Sequence, residues 1–367
     1  MKTFCPYRIC PLGAHIDHQY GVVSGTSVDI GITFEYKKLE TSKIILSSLD
    51  YEGIYEFDMD SNLHRCMDWA DYFRGVIEVL KKKFKINKGL KGTFRGDLPS
   101  GGISSSSSSQ IAFLSAICYI NDITLSKEEI IELVYQVEHD FMGLRVGILD
   151  PSCEVLGKKD SLLFLDTLTK YYFTIENNDF YKTYQFIIIY SGVRRSLVES
   201  KYNTRVEELN ACYDKLKINF YGCGKLRDIP YYYYEKNKDS LNEEEVKRSQ
   251  HYFSEMERVK LGLQAWRKND ILTFGKLMTE SCLSSIYNYE SGSKVLIDLF
   301  EITRRIDGVL GIRFLGAGFN GSSLVLVEKI KVNTIIDEIK DQYFKLYPEL
   351  EKDFKVVPVQ LRDGVSL

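Results

Sequence analysis

Several features that would place a chain in a membrane or outside the cell are missing from this sequence. It has no run of about 18 apolar residues, the length that a membrane-spanning helix needs. Residues 1–6 show no apolar segment of a secretory signal, and no two of the eight cysteines form a Cys-x-x-Cys pair. We therefore expect a cytoplasmic protein whose cysteines are reduced thiols.

The sequence also lacks an excess of charge of one sign. With 48 lysines and arginines against 51 aspartates and glutamates, the formal net charge is −3, which argues against a nucleic-acid-binding surface. The longest basic run, at positions 81–83, ends a predicted helix, where positive charge is favourable without any partner. Neither a nucleic acid nor a membrane is therefore expected as a partner.

The composition and the order of the predicted elements indicate two folded domains. Hydrophobic residues make up 44% of the 367 residues and charged residues 27%, as in globular proteins with room for two cores. Strand-like segments precede helical ones in each half, and no internal repeat occurs. This order is typical of an α+β fold, and we expect one domain in residues 1–180 and a second in residues 181–367.

One segment, residues 96–110, indicates a ligand most clearly. It contains Gly101 and Gly102, continues with six serines at positions 104–109, and runs directly into apolar residues at helical spacing. Glycines allow tight backbone turns, and the start of a helix presents unpaired N–H groups and partial positive charge. The segment therefore predicts a cradle for phosphate groups at a helix start.

A flexible Gly/Ser linker is the alternative interpretation of this segment. A linker would separate structured elements, whereas residues 96–110 lie directly between a predicted strand, residues 89–95, and a predicted helix. The spacing of a P-loop, Gly-x-x-x-x-Gly-Lys-Ser/Thr, does not occur there, so a cradle of that type is excluded.

Three loops together resemble the motifs of a known kinase family. Residues 8–17 read Arg-Ile-Cys-Pro-Leu-Gly-Ala-His-Ile-Asp, residues 102–107 read Gly-Ile-Ser-Ser-Ser-Ser, and residues 316–321 read Gly-Ala-Gly-Phe-Asn-Gly. In this order they resemble the three motifs of the GHMP kinases, small-molecule kinases that include galactokinase. Asn320 replaces a glycine of the third motif, and serines at positions 107 and 109 replace apolar residues usual after the second.

Further segments narrow the resemblance and extend it over nearly the whole chain. Residues 138–143 and 147–150 match galactokinases, and residues 6–19, 143–145 and 251–258 look like the plant galacturonokinase signature. The resemblance implies an N-terminal mixed domain with a left-handed β-α-β unit and a ferredoxin-like C-terminal domain. It also implies an enzyme, monomeric or homodimeric, that uses ATP and Mg²⁺ to phosphorylate the anomeric hydroxyl of galacturonate.

The resemblance implies roles in phosphoryl transfer for four side chains. Asp150 stands at the position of the catalytic aspartate, which accepts the proton of the sugar hydroxyl or acts only as an electrostatic partner. Arg8 would orient Asp150 and stabilise developing negative charge. Ser106 and Glu138 stand at the Mg²⁺ positions, and oxygen ligands suit that cation. The resemblance places ATP against Pro99, Gly101, Gly102, Ser104, Ser105, Ser106, Ser107, Gly316 and Gly318.

The resemblance also implies where the sugar binds. His15, Asp17 and Gly147 stand at positions that contact the sugar, and Tyr202 matches a sugar-contacting tyrosine of galactokinases. A metal site at residues 15–18 is the alternative interpretation of the two histidines there. Such a site would require further ligands at fixed spacing, and the sequence offers none that stands out.

Ala14 decides which sugar we expect. Galactokinases have glutamate there, which by resemblance contacts the hydroxyl on carbon 6 of galactose, whereas galacturonate carries a carboxylate at that carbon. Two like charges about 4 Å apart repel by roughly 1 kcal/mol in water and about 4 kcal/mol at a partly buried site, so alanine removes a barrier to a uronic acid. We expect Arg194 or Arg195 to pair with the incoming carboxylate, because arginine binds carboxylates in a bidentate manner.

Other functions are compatible with the same motifs. The protein could be a galactokinase or a kinase for another sugar, such as glucuronate or arabinose. A third alternative is a sugar-sensing regulator that has kept the fold and lost turnover. Because Arg8, Ser106, Glu138 and Asp150 are all present, the sequence favours an active kinase.

Overall fold

The structure, a computed structural model, describes residues 1–193, 202–217, 220, 222–318 and 321–365. Two β-sheets organise these residues. A sheet of eight strands comes mainly from the first half of the chain, and a sheet of four strands comes from the second half. Helices lie in both halves, so the α+β class that the sequence predicts is confirmed.

The eight-stranded sheet is built around one long strand, β2 (Val22–Lys38). β-Branched residues are frequent along this strand, which suits a pleated and largely buried position. Its length lets it pair antiparallel with four other strands at different points of its course. The other strands of this sheet are β1 (Lys2–Leu12), β3 (Lys43–Ser48), β4 (Ile54–Asp58), β5 (Leu90–Gly96), β6 (Ser161–Asp166), β7 (Tyr172–Glu176) and β12 (Leu361–Arg362).

Helices of the first half pack on this sheet. The connection from β3 to β5, which run parallel to each other, includes α1 (Asp71–Lys81). The next helix, α2 (Ser105–Ile120), packs against β1 and β2 and is buried along most of its length, so it is a core helix. The other helical segments of this half are α3 (Lys127–Gln136), a π-helical turn (Val137–Phe141) and α4 (Leu149–Leu156).

The second sheet is antiparallel, with the strand order β11-β8-β10-β9. This is the order of a ferredoxin-like domain, as the family resemblance implies. Its strands are β8 (Tyr184–Tyr190), β9 (Val309–Phe314), β10 (Ser322–Glu328) and β11 (Lys355–Val359). The helices of this half are α5 (Phe180–Thr183), α6 (Tyr202–Leu216), α7 (Tyr231–Asn237), α8 (Glu243–Arg267), α9 (Ile271–Tyr287), α10 (Lys294–Thr303) and α11 (Val332–Leu346).

The end of the chain joins the two halves. After β11, strand β12 pairs with β2 of the first sheet. The backbone N–H of Val365 then donates to the carbonyl of Glu154 on α4 at 2.8 Å. The division into residues 1–180 and 181–367 stays a prediction, and the last residues of the second part pack on the first.

Two segments differ from the elements expected from the sequence. Residues 147–151, expected to interrupt the helical pattern, lead into α4, and Pro151 lies in its first turn, where a proline is tolerated. Residues 221–241, for which the sequence indicates a surface excursion, contain α7, in which Tyr231 and Tyr232 are exposed but Tyr234 is fully buried. Among the described residues, no helix has the length and apolar character needed to cross a membrane.

Candidate active site

The serine-rich segment forms the start of helix α2, as predicted. The helix begins at Ser105, and Ser104 precedes it with a φ of 64°, in the left-handed region that serine rarely adopts. Gly102 also has a positive φ, 78°. This sharp turn leads directly into the first helical residues, whose N–H groups have no carbonyl partner inside the helix. The geometry is that of an anion-binding helix start.

The two glycine-rich loops pack against each other with their backbones. A Cβ atom placed on Gly101 would lie 2.8 Å from the Cα of Gly321, and one placed on Gly316 would lie 2.6 Å from the Cα of Gly102. Any side chain at these positions would collide with the opposite backbone. Gly318, with a φ of 75°, continues the second loop. Loops from the two ends of the chain therefore form one surface beside the start of α2.

A buried arginine connects this surface to the predicted catalytic aspartate. Strand β1 holds Arg8, which is 3% exposed, and the first turn of α4 holds Asp150, whose side chain is one-third exposed. The Nε–H of Arg8 donates to Oδ1 of Asp150 at 2.8 Å, and its Nη1–H donates to the carbonyl of Gly102 at 2.7 Å. Burial alone would lower the pKa of Arg8, but the carboxylate of Asp150 raises it above its ordinary value.

Ser106 and Glu138 meet at the phosphate side of the site. The hydroxyl of Ser106 lies 3.3 Å from Oε1 of Glu138, which also accepts a hydrogen bond from Nε2 of Gln110 at 3.0 Å. Glu138 is buried in the π-helical turn. A hydroxyl and a carboxylate oxygen side by side fit Mg²⁺, which takes few protein ligands and completes its shell with water and phosphate oxygens. Within the described residues, no cluster of three or more His, Cys, Asp or Glu side chains could hold a metal.

Asp17 and Gly147, two residues that the family resemblance places at the sugar, lie in contact with each other. A Cβ atom on Gly147 would lie 2.3 Å from Oδ2 of Asp17, so glycine is required for this approach. The carboxylate of Asp17 accepts from the backbone N–H of Leu149, just before Asp150. Burial, and then the negative charge of Asp150, raise the pKa of Asp17 to about 6. The carboxyl groups of Asp17 and Asp150 thus lie near each other.

His15 lies on the ring of Tyr289, a residue that the sequence did not single out. The ring centroids are 4.2 Å apart and the planes differ by 7°. The Nε2 atom of His15 is buried and has no hydrogen-bond partner within the protein. Burial lowers the pKa of His15 well below 6.5, so the ring is neutral. An unpaired ring nitrogen at this place can bond a hydroxyl of a bound ligand.

The backbone of Ala14 is held by a second histidine that sequence analysis missed. The carbonyl of Ala14 accepts from Nε2 of His251 at 3.0 Å, so Nδ1 of His251 accepts from the hydroxyl of Ser284 at 2.9 Å. Burial lowers the pKa of His251 to about 4, so its ring stays neutral and can keep this arrangement of donor and acceptor. Residues 251–258 are part of the family resemblance, but the contact of His251 with Ala14 depends on the fold.

The predicted site residues of the first two motifs lie close together in the structure. Some of the other predicted site residues are not among those that the structure describes. Arg194 and Arg195 are outside the described residues. Tyr202 is the first residue of α6, and its side chain is likewise outside the described part. Pro99 precedes the turn that contains Gly101 and is half-buried.

Glu154 is an acid of the site region that sequence analysis did not identify. It lies one helical turn after Asp150 on α4 and is completely buried. The hydroxyl of Ser107 donates to its Oε2 at 2.7 Å, and Oε1 lies 2.6 Å from the hydroxyl of Ser108. One sequence feature could have indicated this acid. Position 107 has a serine, whereas the family motif that the sequence resembles has an apolar residue there.

The contacts of Ser108 indicate that Glu154 is protonated. The Ser108 hydroxyl lies 2.6 Å from Glu154, 3.1 Å from the carbonyl of Pro6 and 3.0 Å from the carbonyl of Ser104. One hydroxyl proton cannot serve three acceptors. A proton on Oε1 of Glu154 that is donated to the Ser108 oxygen would leave the proton of Ser108 to be shared by the two backbone carbonyls only. Burial raises the pKa of Glu154 well above 4.5, in agreement with this assignment.

We predict that Glu154→Gln becomes more stable relative to the wild type as the pH rises. The raised pKa means that folded Glu154 keeps a proton that the unfolded chain loses above about pH 4.5. The free energy of unfolding of the wild type therefore falls with rising pH, by up to about 1.4 kcal/mol per pH unit. Glutamine does not titrate, so Glu154→Gln lacks this decrease. The measurement is urea unfolding of both proteins from about pH 5 to about pH 8.

Glu349→Gln, which replaces an exposed glutamate, is the matched control. Its free energy of unfolding should equal that of the wild type at every pH. Parallel stability curves for the wild type and Glu154→Gln, with the variant lower throughout, would mean that Glu154 is charged in the folded protein.

Comparison with known proteins shows which proteins this chain resembles. Residues 71–158 match the family model described as GHMP kinases N terminal domain. The chain is 35% identical to a galacturonokinase of Arabidopsis thaliana, over 94% of this chain and 87% of the relative. It is 33% identical to a galactokinase of Clostridium perfringens, over 93% of this chain and 89% of the relative.

Solved structures extend the agreement to the whole fold. Lactococcus lactis galactokinase, solved in complex with galactose, has a TM-score of 0.91 at 27% identity and covers 100% of this chain and 94% of its own. Methanococcus jannaschii mevalonate kinase, at 19% identity and a TM-score of 0.69, shares the fold. Since the relatives match over almost their full length, the chain belongs to the GHMP kinases, in the group of sugar kinases that contains galacturonokinase and galactokinase.

Proposed function

We propose that this protein transfers the γ-phosphoryl group of ATP to the anomeric hydroxyl of D-galacturonate and yields galacturonate 1-phosphate. The single observation on which the choice of sugar rests is the buried alanine at position 14. The relative from Arabidopsis thaliana is a galacturonokinase. A galactokinase is the second candidate, because relatives of 33% identity have that name.

Asp150 and Arg8 act on the sugar hydroxyl in this proposal. The Asp150 carboxylate is one-third exposed, so it can meet an incoming hydroxyl and accept its proton or stabilise its partial charge. The buried guanidinium of Arg8 fixes the orientation of this carboxylate through its bond of 2.8 Å. Its second bond, to Gly102, holds the carboxylate at a constant position relative to the phosphate turn. Positioning of this kind supplies much of the acceleration in phosphoryl transfer.

The start of α2 and the glycine-rich surface would hold the phosphates of ATP. Backbone N–H groups of residues 101–106 supply donors without side-chain charge. Mg²⁺, bound by Ser106 and Glu138, would offset the negative charge of the β- and γ-phosphates. Residues Gly316 and Gly318 of the second loop complete the proposed cradle.

The sugar would lie between Asp150 and the paired rings of His15 and Tyr289. Asp17 and the unpaired Nε2 of His15 supply polar groups for its hydroxyls. Ala14 lacks the carboxylate that galactokinases have at this position, so a substrate carboxylate meets no like charge from this side chain.

A cytoplasmic location is part of the proposal. All eight cysteines are free thiols, and six of them are buried. A reducing compartment suits such a set of thiols.

The proposed activity is tested with purified protein, ATP, Mg²⁺ and four sugars: galacturonate, galactose, glucuronate and arabinose. We expect galacturonate to give the highest kcat/KM in an ADP-release assay, and phosphorus NMR to identify a sugar 1-phosphate. If galactose proves the far better acceptor, the protein is a galactokinase and the proposed substrate is wrong.

Asp150→Asn is expected to lower kcat by on the order of 10²–10⁴-fold, because the amide cannot accept the proton or balance Arg8. Asp337→Asn, at an exposed position of α11, is the control and should keep full activity. Circular dichroism checks that both variants are folded. Undiminished turnover in Asp150→Asn would exclude this carboxylate from the reaction.

Ala14→Glu should weaken the use of galacturonate because it restores the like charge. A repulsion of roughly 1 to 4 kcal/mol corresponds to a loss of roughly 5-fold to nearly 10³-fold in kcat/KM. Ala14→Gln adds a side chain of the same size without charge, so the difference between the two variants isolates the electrostatic effect. Equal losses in both variants would show that size alone matters at this position.

A further inference from the structure

Two residues of the turn that carries the sugar motif have backbone conformations that need support. Gly13 has a φ of 99° and His15 a φ of 62°, both in the left-handed region. Glycine adopts this region without strain. For histidine it is a conformation of higher energy, which persists when the surrounding structure fixes it. The neighbours of residues 13–15 must therefore supply contacts that hold this backbone.

Helix α8 supplies two such contacts from one side. His251 and Glu255 are four residues apart on this helix, so their side chains lie on the same face. Oε1 of Glu255 accepts from the backbone N–H of Gly13 at 2.7 Å, and Nε2 of His251 donates to the carbonyl of Ala14 at 3.0 Å. One helix thus bonds two backbone groups of the residues directly before His15.

Glu255 is ionised although it is completely buried. Burial alone would raise its pKa, but nearby positive charges, first that of Arg258, lower it to about 2. The Nε–H of Arg258 donates to Oε2 of Glu255 at 2.7 Å, and the hydroxyl of Ser281 donates to Oε1 at 2.7 Å. These partners and the N–H of Gly13 are all donors, which suits a carboxylate with two acceptor oxygens. The acceptor for Gly13 is therefore held in place by other contacts.

His251 is likewise fixed in the orientation that its bond requires. Its Nδ1 accepts from the hydroxyl of Ser284 at 2.9 Å, which leaves the proton on Nε2 for the carbonyl of Ala14. The ring of His251 also packs against the rings of His15 and Tyr289, with centroids 5.9 Å and 5.2 Å away. His15 is thus held through its backbone by α8 and through its ring by Tyr289. Its Nε2, which has no partner within the protein, thereby has a defined position.

We propose that His251 and Glu255 are positioning residues for the sugar substrate, which fix residues 13–15 before the sugar binds. This inference rests on the proposed function, in which His15 bonds a sugar hydroxyl. Both side chains act through the backbone of the loop and not by touching the reacting atoms. A loop that is already ordered costs less free energy on binding, so the sugar binds more tightly.

His251→Phe tests this inference without changing the charge of the core. Phenylalanine keeps the ring contacts but removes the donor to Ala14. We expect KM for the sugar to rise by about 10-fold, the worth of one hydrogen bond, while kcat and KM for ATP change by less than about twofold. The sugar is whichever of the four tested sugars gives the highest kcat/KM with the wild type, so a preference for galacturonate is not assumed.

Two further variants control the comparison. His251→Gln should restore most of the affinity, because its amide nitrogen can take the place of Nε2 and donate to Ala14. His64→Phe makes the same substitution as the test variant at an exposed position and should leave all constants unchanged. Glu255→Met is less suited to the test, because it removes the carboxylate that lies 3.8 Å from the buried guanidinium of Arg313 and can prevent folding.

Amide hydrogen exchange of the ligand-free protein gives a second readout, which does not depend on turnover. We expect residues 12–16 to exchange about 10-fold faster in His251→Phe than in the wild type, since the loop opens more often. Residues 111–117, in the buried middle of α2, should exchange at the same rate in both proteins.

The two readouts separate this inference from the proposed function. If His251→Phe keeps the wild-type KM for the sugar and the wild-type exchange, the positioning role is wrong and the proposed function stands. Equal increases in KM for the sugar and for ATP would also overturn the positioning role, because they indicate general damage to the fold.

Failure of the proposed function has a different signature. If the wild type phosphorylates none of the four sugars, that proposal fails. Calorimetry that shows weaker sugar binding by His251→Phe, together with faster exchange of residues 12–16, would then still support the positioning role. If the wild type neither phosphorylates nor binds any of the sugars, both proposals fail.

Discussion

The pair between Arg8 and Asp150 is the interaction on which the rest of the site depends. Arg8 belongs to the first strand, Asp150 to a helix in the middle of the chain, and Gly102 to the turn before α2, yet one guanidinium bonds both of the latter. A buried arginine without these partners would leave an uncompensated charge in the core. The same contacts that stabilise the guanidinium also hold the Asp150 carboxylate at a fixed distance from the turn before α2.

The glycine-rich surface is the second constraint. Gly101 and Gly102 approach Gly316 and Gly321 so closely that no side chain fits. The second of these loops connects β9 to β10, so the ferredoxin-like domain takes part in the proposed phosphate cradle. Beneath this surface, Glu154 fills a buried position with a neutral carboxyl group that bonds Ser107 and Ser108. The proposed phosphate cradle and the buried contacts of Glu154 therefore share the start of the same helix, α2.

Much of this arrangement could be predicted from the sequence, because the motifs are local. The helix start at Ser105, the contact of Ser106 with Glu138 and the pairing of Arg8 with Asp150 agree with the roles that the family resemblance implied. The contacts of Tyr289, His251 and Glu154 could not be predicted, since each joins segments far apart in the chain.

The central claim is that the anomeric hydroxyl of the sugar meets Asp150 while the triphosphate lies at the start of α2. The most direct measurement is a crystal structure with galacturonate and a non-hydrolysable ATP analogue. We expect the anomeric oxygen within hydrogen-bond distance of Asp150 and in line with the γ-phosphate. A complex with the anomeric carbon turned away from Asp150, or with the phosphates bound away from residues 101–106, would contradict the account.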